Sequence, residues 1–192
     1  VLDWLDQVSV ENIFKIGLAG GRTPLPLYQA LAKQFGKDFF DFFLIDERYV
    51  NWQDNNSNYF QVSKIFDHVK SFKTNLPIDQ ALEDYKKNLP ECFDLAIIGV
   101  GSDGHFASIF QGYQNNQDIV FHSQTDQFEV KDRLTIGGEY LLKTKKIFVV
   151  MAGSEKKKTY QELLEGALDE KQFPAKLLLR NTRTEILFAE MN

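Results

Sequence analysis

Five short apolar runs that alternate with amphipathic segments constrain the fold of this chain more than any other feature of its sequence. Each run is nearly continuous and rich in β-branched or aromatic residues, as expected of strands buried on both faces of a parallel sheet. The runs are 13–20, 39–46, 93–101, 146–153 and 185–190, and helical patterns occupy 24–35, 57–69, 82–89 and 155–168. The alternation predicts an α/β fold: a three-layer sandwich whose mostly parallel, Rossmann-like twisted sheet is flanked by helices.

The domain organisation follows from length and composition. A chain of 192 residues, 43% of them hydrophobic, can bury one substantial core. No repeat and no Pro/Gly/Ser-rich linker marks a boundary, so we expect a single domain over 1–192. The polar segment 111–132 is predicted to form an irregular excursion, followed by a short strand near Arg133.

Charge and composition exclude several classes of partner. The net charge of −5 argues against a nucleic-acid surface, and no apolar stretch reaches the roughly 20 residues of a membrane span. The lone Cys92 excludes an intrachain disulfide and a multi-cysteine metal cluster. No cluster has metal-ligand spacing, so no metal is expected. Because the first residues lack the pattern of a signal peptide, we expect a cytoplasmic protein.

The ends of the predicted strands carry the unusual residues, and ligands bind beyond the carboxyl ends of parallel strands. At the first end, Gly20 and Gly21 leave a strand, Thr23 can cap a helix and Pro24 suits its first turn. Helix N-termini bind phosphate, although a tight turn alone explains the pattern equally simply. Neither G-x-G-x-x-G nor G-x-x-x-x-G-K-[ST] occurs, which disfavours dinucleotide and P-loop sites.

The second strand end carries the charged triplet Asp46-Glu47-Arg48. Arg48 can clamp a phosphate or carboxylate, while Asp46 can act as an acid, a base or an orienting group. The alternative is a solvated loop. For Ser57 and Asn58 we favour a structural role as the cap of the next helix.

The third strand end, "VGSDGHFASIF", offers a proton-transfer group. Gly99, Gly101 and Gly104 permit close backbone approach, and their amides are candidate oxyanion donors. His105 is the candidate for acid–base chemistry, because an imidazole can both accept and donate a proton under physiological conditions. The alternative is a helix-starting histidine in a turn. The remaining histidines are predicted to be ordinary surface residues: His68 and His122.

The fourth strand end adds cations. Lys156 follows Gly153 in the predicted first turn of a helix, where a lysine is unfavourable unless an anion offsets the helix dipole. Arg133 is a further candidate cation, with an ordinary surface charge as the alternative. The chain has neither G-x-S-x-G nor H-E-x-x-H, which argues against an α/β-hydrolase and a zincin.

Five segments, in this order, resemble the 6-phosphogluconolactonase family, which looks related in fold to the glucosamine-6-phosphate deaminases. They are "GLAGGRTPLPLYQAL", "IDERYVNWQDNNSNY", "FDLAIIGVGSDGHFASIF", "RLTI" and "AGSEKKKTYQELLEG", with a weaker match at "FPAKLL". The D-E-R form followed by V and S-N, and D-G-H followed by A-S-x-F, resemble the lactonases. The deaminase blocks tend to read D-E-Y and G-H-x-A-F-N-E-P.

The resemblance implies hydrolysis of 6-phosphoglucono-δ-lactone to 6-phosphogluconate in the oxidative pentose phosphate pathway, without a cofactor. It implies that His105 is the general base, that Asp103 helps to position it, and that Asp46 contacts sugar hydroxyls or tunes the site. The implied or candidate phosphate ligands are Gly20, Gly21, Arg22, Thr23, Arg48, Arg133 and Lys156. The phosphorylated lactone is the expected partner, and we expect a monomer or a weak homo-oligomer.

Three residues depart from the family pattern, and two other functions remain open. Arg22 stands in the G-G-S-T block, Phe106 replaces the usual Thr after D-G-H, and Gln111 replaces a Pro. A deaminase or isomerase would use Asp46 to move a substrate proton, but no glutamate follows His105 closely. A domain that binds a sugar phosphate without turnover would keep the cations and lose the base.

Overall fold

A five-stranded parallel sheet forms the middle layer of the molecule, and its strands lie side by side in the order Phe40–Leu44, Phe14–Leu18, Leu95–Gly99, Lys146–Ala152 and Thr184–Ala189. The computed structural model describes residues 1–7, 13–35, 39–113 and 117–190. The strands are β1 (Phe14–Leu18), β2 (Phe40–Leu44), β3 (Asp46–Arg48), β4 (Leu95–Gly99), β5 (Val120–Gln124), β6 (Asp132–Ile136), β7 (Lys146–Ala152) and β8 (Thr184–Ala189). The helices are α1 (Leu2–Asp6), α2 (Leu25–Gln34), α3 (Asn58–Val62), α4 (Ile78–Asn88), α5 (Gly138–Leu141) and α6 (Lys157–Glu165).

Two hydrophobic clusters cover the two faces of this sheet, which confirms the predicted three-layer α/β architecture. Successive side chains of a strand point to opposite faces. On β4, Ile97 therefore packs with α1, α2 and α3, and its neighbour Ile98 packs with α4, α6 and the small sheet described next. Both isoleucines are fully buried. No helix in the described ranges is long and apolar enough to cross a membrane.

A second, antiparallel sheet was not predicted. It has the order β3-β6-β5 and begins directly after β2, where the chain leaves the main sheet. The amide of Ile136 donates to the carbonyl of Ile45 at 2.9 Å and ties the two sheets together. The strand predicted near Arg133 is confirmed as β6. The expected excursion over 111–132 is partly wrong, because β5 lies within it, and residues 114–116 fall outside the described residues.

Helix boundaries differ from the predictions in two places. The pattern over 57–69 yields only α3, because the chain turns after Val62 and His68 has a φ of +58°, which a right-handed helix does not allow. Ser57 caps α3 by accepting the amide of Phe60 at 3.1 Å, as predicted. The expected cap at Thr23 is wrong, because Pro24 occupies the N-cap position of α2 and no side chain caps it.

The central strand should dominate stability. We expect Ile97→Ala to lower the free energy of unfolding by about 2–5 kcal/mol, because it leaves a cavity between two packed layers. Ile13→Ala is the matched control, since Ile13 is 56% exposed and its truncation should change stability by less than about 1 kcal/mol. Urea denaturation followed by circular dichroism measures both. Equal losses for the two variants would contradict this account of the core.

Candidate active site

A cavity of about 200 Å³ opens at the carboxyl ends of β1 and β4, where the small sheet meets the main sheet. At this edge of the sheet the strands end and loops begin, so the polar groups of several loops surround one space. Seven of the ten candidate residues line it: Gly20, Gly21, Thr23, Asp46, Arg48, His105 and Arg133. The other three candidates do not line the cavity themselves: Asp103 and Lys156 contact residues that do, and Arg22 is exposed.

His105 faces this cavity with Asp103 behind it. The His105 Nδ1 lies 2.5 Å from the Asp103 Oδ1, and the histidine side chain is 20% exposed. Partial burial opposes ionisation of Asp103, but the hydrogen bond and charge of His105 outweigh it and lower the pKa of the carboxyl. A Cβ on Gly101 would overlap the imidazole, so only glycine leaves room for the ring. The dyad leaves Nε2 as the nitrogen available for proton transfer.

The loop that carries His105 differs from the sequence expectations in its backbone and in the state of its glycine amides. No helix follows the histidine: residues 101–110 form turns with isolated bridges, and Ala107 has a φ of +50°. The predicted oxyanion amides are partly engaged, since Gly101 donates to the His105 carbonyl at 2.8 Å and Gly104 to the Gly101 carbonyl at 3.0 Å. Phe106, the departure from the family pattern, is fully buried in the core and anchors the loop.

A 3₁₀ segment, Pro174–Arg180, and the turn before it hold the same loop from outside. The Phe173 ring packs against Gly104, whose φ of +85° and close contact both require glycine. The amide of Ala175 donates to the Gly104 carbonyl at 2.9 Å. Gln111 Nε2 donates to the Asp103 carbonyl at 3.3 Å and to the Gln172 carbonyl at 2.7 Å. The departure at Gln111 thus fastens the His105 loop to the following segment.

Two arginines stand directly opposite each other across the antiparallel pair β3–β6. Arg48 pairs in register with Arg133, and both side chains line the cavity. Arg133 is 6% exposed, so the alternative of a surface charge is wrong. Burial and the neighbouring charge of Arg48 lower the pKa of Arg133. Like charges directly opposite each other destabilise a sheet, so the arrangement favours a bound anion.

Each arginine keeps donor capacity toward the cavity. Arg48 donates from Nη1 to the Asn56 carbonyl at 2.6 Å, and its buried Nε has no partner among the described residues. Arg133 donates from Nε to the Val130 carbonyl at 2.9 Å, and its guanidinium lies 5.4 Å from the Phe128 ring centroid. The remaining N–H groups of each fork are positioned to bind an anion.

The other two predicted cations are placed differently. Lys156 lies in the 3₁₀ segment Ser154–Lys156 just before α6, and its Nζ donates at 2.8 Å to the carbonyl of Val100, a residue of the cavity wall. Burial lowers the pKa of this ammonium group. Lys156 itself does not line the cavity. Arg22 is exposed and does not line the cavity.

Asp46 is buried at the cavity and held by two neutral donors. Its Oδ2 accepts from the Ser108 hydroxyl at 2.7 Å, and its Oδ1 accepts from the Asn58 Nδ2 at 3.2 Å. Ser108 belongs to the His105 loop, so the hydrogen bond joins the second and third strand ends. Sequence reasoning missed both partners: Ser108 carried no signal beyond its place in the A-S motif, and Asn58 was assigned to helix capping.

The buried carboxyl of Glu47 holds the backbone around Asp46 and Asn58 through hydrogen bonds, a role that the sequence analysis did not predict. Its Oε1 accepts the amides of Arg48 and Asn58, both at 2.7 Å. Its Oε2 accepts the Tyr59 amide at 2.7 Å and the Ser57 hydroxyl at 3.1 Å. Burial raises the pKa of Glu47 to about 7, against the lowering effect of the three amide donors. One carboxyl therefore couples β3 to the start of α3.

Aromatic rings form the outer rim of the cavity around His105. The centroid of the imidazole lies 5.1 Å from that of Phe110 and 5.5 Å from that of Phe128. Both rings also line the cavity, so the imidazole has aromatic neighbours within it. Within the described ranges, no group of three or more His, Cys, Asp or Glu side chains is arranged to hold a metal.

Fold and cavity together define an α/β protein with a histidine–aspartate dyad and an arginine pair around a small-ligand pocket. The model of the family described as glucosamine-6-phosphate isomerases/6-phosphogluconolactonase matches residues 2–188. The chain belongs to this family.

Individual relatives point the same way. A probable 6-phosphogluconolactonase of Dictyostelium discoideum is 31% identical, over 96% of this chain and 88% of the relative. The 6-phosphogluconolactonase of Thermotoga maritima is 36% identical, over 80% of this chain and 76% of the relative. The crystal structure of a 6-phosphogluconolactonase from Thermotoga maritima superposes with a TM-score of 0.84 at 30% identity, covering 99% of this chain and 89% of that one.

The buried Glu47 should make stability depend on pH. Its folded pKa of about 7 lies above the ordinary value of 4.5, so the folded protein binds the proton more tightly than the unfolded chain. Stability should therefore fall by up to about 3 kcal/mol as pH rises from about 4.5 to about 7, and level off above. Urea unfolding of wild type and Glu47→Gln across this range isolates the effect. An unchanged difference between the two proteins at pH 5 and 7.5 would contradict the assignment.

Proposed function

We propose that this protein hydrolyses 6-phosphoglucono-δ-lactone to 6-phosphogluconate. The observation that carries the proposal is the placement of the His105–Asp103 dyad and the Arg48–Arg133 pair around one cavity. A general base suits attack of water on an ester carbonyl, and a pair of arginines suits a phosphorylated substrate. Membership of the family supports the same substrate class.

In the first step, His105 acts as the general base. With Nδ1 engaged by Asp103, Nε2 accepts a proton from a water molecule as the water oxygen attacks C1 of the lactone. Asp103 stabilises the imidazolium that forms, as its lowered pKa indicates. Negative charge develops on the carbonyl oxygen of C1 as the water adds, and it is lost again when the intermediate collapses.

In the second step, the tetrahedral intermediate collapses. The bond between C1 and the ring oxygen breaks, and the imidazolium of His105 returns its proton to that oxygen. The products are a carboxylic acid, which ionises, and a free hydroxyl on the opened sugar. The base is regenerated, so the cycle needs no oxidant, reductant or further reactant.

The phosphate is assigned to the cationic side of the cavity. Arg48 and Arg133 supply unengaged N–H donors, and the loop of Gly20, Gly21 and Thr23 lines the same space. Lys156 adds positive charge from behind Val100. An anion here offsets the repulsion of the two facing arginines, which gives the phosphate more binding energy than a neutral group would receive.

The direct test follows lactone opening at pH 6.5–7 by proton release or by coupling to a 6-phosphogluconate dehydrogenase, with the spontaneous rate subtracted. Purified protein should open the lactone far faster than background. Ammonia release from glucosamine 6-phosphate in place of lactone opening would assign deaminase chemistry. Binding of 6-phosphogluconate with neither activity would assign a non-catalytic domain, and either result would overturn the proposal.

His105→Ala should lower kcat by about 10²–10⁴-fold, because it removes the proton acceptor. His122→Ala is a matched control: His122 Nε2 lies 2.7 Å from Asp132 Oδ1, another histidine–aspartate pair, yet His122 lies outside the cavity. We expect this control to keep wild-type kcat. Steady-state kinetics with spontaneous opening subtracted gives both values. A fully active His105→Ala would remove histidine from the mechanism.

Arg48→Gln and Arg133→Gln should each raise KM for the phosphorylated lactone by about 10- to 100-fold, because a charge-assisted hydrogen bond is lost. The kcat/KM for unphosphorylated glucono-δ-lactone should change far less. Lys131→Gln is the control, since this exposed lysine pairs with Asp126 outside the cavity. Equal losses on the two lactones would show that the arginines do not recognise the phosphate.

A further inference from the structure

The side chain of Asn58 contains a buried acceptor without a donor. Its Nδ2 donates to the Asp46 carbonyl at 2.9 Å and to the Asp46 Oδ1 at 3.2 Å. Turning the amide over would place its oxygen against these two oxygens, so the hydrogen bonds establish which atom is which. The Asn58 Oδ1 has no hydrogen-bond partner among the described residues. Because Asn58 is only 1% exposed, this oxygen is also shielded from bulk water.

This oxygen belongs to one residue of the cavity wall and lies beside another. Asn58, Asp46 and Gly20 all line the cavity, and Oδ1 is the Asn58 atom nearest to the place where a Cβ on Gly20 would stand. A Cβ on Gly20 would overlap the carboxamide of Asn58, so glycine is required for the asparagine to occupy this place. A buried acceptor that lacks a donor loses free energy relative to one that is satisfied, and such groups in native proteins normally meet a ligand or an ordered water.

The hydrogen-bonding character of Asn58 and Asp46 determines which group of a ligand can bind to them. A phosphate dianion and a lactone carbonyl are acceptors and cannot satisfy another acceptor. The two carboxylate oxygens of Asp46 each accept one hydrogen bond and retain a second acceptor site. Asn58 and Asp46 therefore form an acceptor wall, and of the groups on a phosphosugar lactone only the ring hydroxyls can donate to it.

We propose that Asn58 determines sugar specificity by accepting, through Oδ1, a hydrogen bond from a ring hydroxyl of the phosphosugar lactone. The proposal rests on the proposed function and deepens it. It assigns to Asn58 a contact with the sugar, separate from the support that its amide nitrogen gives to Asp46. The two roles make different predictions for substrates that lack one hydroxyl.

The test is a double-mutant cycle between protein and substrate. The kcat/KM of wild type and Asn58→Ala is measured with 6-phosphoglucono-δ-lactone and with its 2-deoxy, 3-deoxy and 4-deoxy analogues. In wild type, at least one deoxy lactone should react about 5- to 10-fold less efficiently, the scale of one lost hydrogen bond. In Asn58→Ala, the penalty for that analogue should shrink to less than about 2-fold, because its partner is gone.

Ser108→Ala is the matched control. It also removes one neutral hydrogen bond from Asp46, which is donated by the Ser108 hydroxyl at 2.7 Å, but it leaves the Asn58 oxygen in place. Its kcat can fall, and the deoxy penalties should stay as in wild type. If Ser108→Ala erases the same penalty, Asn58 acts only through Asp46 and the specificity role is overturned.

The remaining outcomes separate this inference from the proposed function. A wild-type protein that opens the lactone but shows no penalty above about 2-fold with any deoxy analogue overturns the role of Asn58, even if Asn58→Ala fails to fold. Identical penalties in wild type and a folded Asn58→Ala overturn it as well. A wild-type protein that does not open the parent lactone fails the proposed function itself.

Discussion

The buried carboxyl of Glu47 is the interaction on which the site depends. It accepts the amides of Arg48, Asn58 and Tyr59 and the hydroxyl of Ser57, and so joins the first strand of the small sheet to the start of α3. Removing a carboxyl from water is costly, and only this set of donors makes the position tenable. With Glu47 in place, its neighbours on both sides point into the cavity and Asn58 reaches across to Asp46.

The small sheet also brings two like charges close together, those of Arg48 and Arg133. Pairing of β3 with β6 sets Arg48 beside Arg133, a destabilising contact in an empty cavity and a favourable one around an anion. The His105 loop approaches from β4 and is fixed from both sides, by Ser108 on Asp46 and by Gln111 on the segment after α6. Under the proposed function, the contacts that hold these loops also position the residues that bind the phosphosugar.

Several predictions made from local sequence patterns were wrong because tertiary contacts determine the local structure at those positions. Thr23 has the chemistry of a helix cap, yet the chain enters α2 through Pro24. For Phe106, a departure from the family pattern, the sequence predicted no position, and its ring fills the core because residues 101–110 fold back. The glycine amides suggested an oxyanion site, and the same tight turn that aims His105 consumes two of them. Each miss concerns the direction of a group, which sequence spacing does not specify.

The sequence by itself determined the layered α/β architecture, because continuous apolar runs between amphipathic segments can be buried only as strands covered on both faces. It also placed His105, Arg48 and the first glycine loop at strand ends, where parallel topology gathers them. The tertiary structure decided the rest: the second sheet, the burial of Arg133, the brace at Glu47 and the unpaired oxygen of Asn58. These depend on contacts between residues distant along the chain, whose partners and burial no local pattern records.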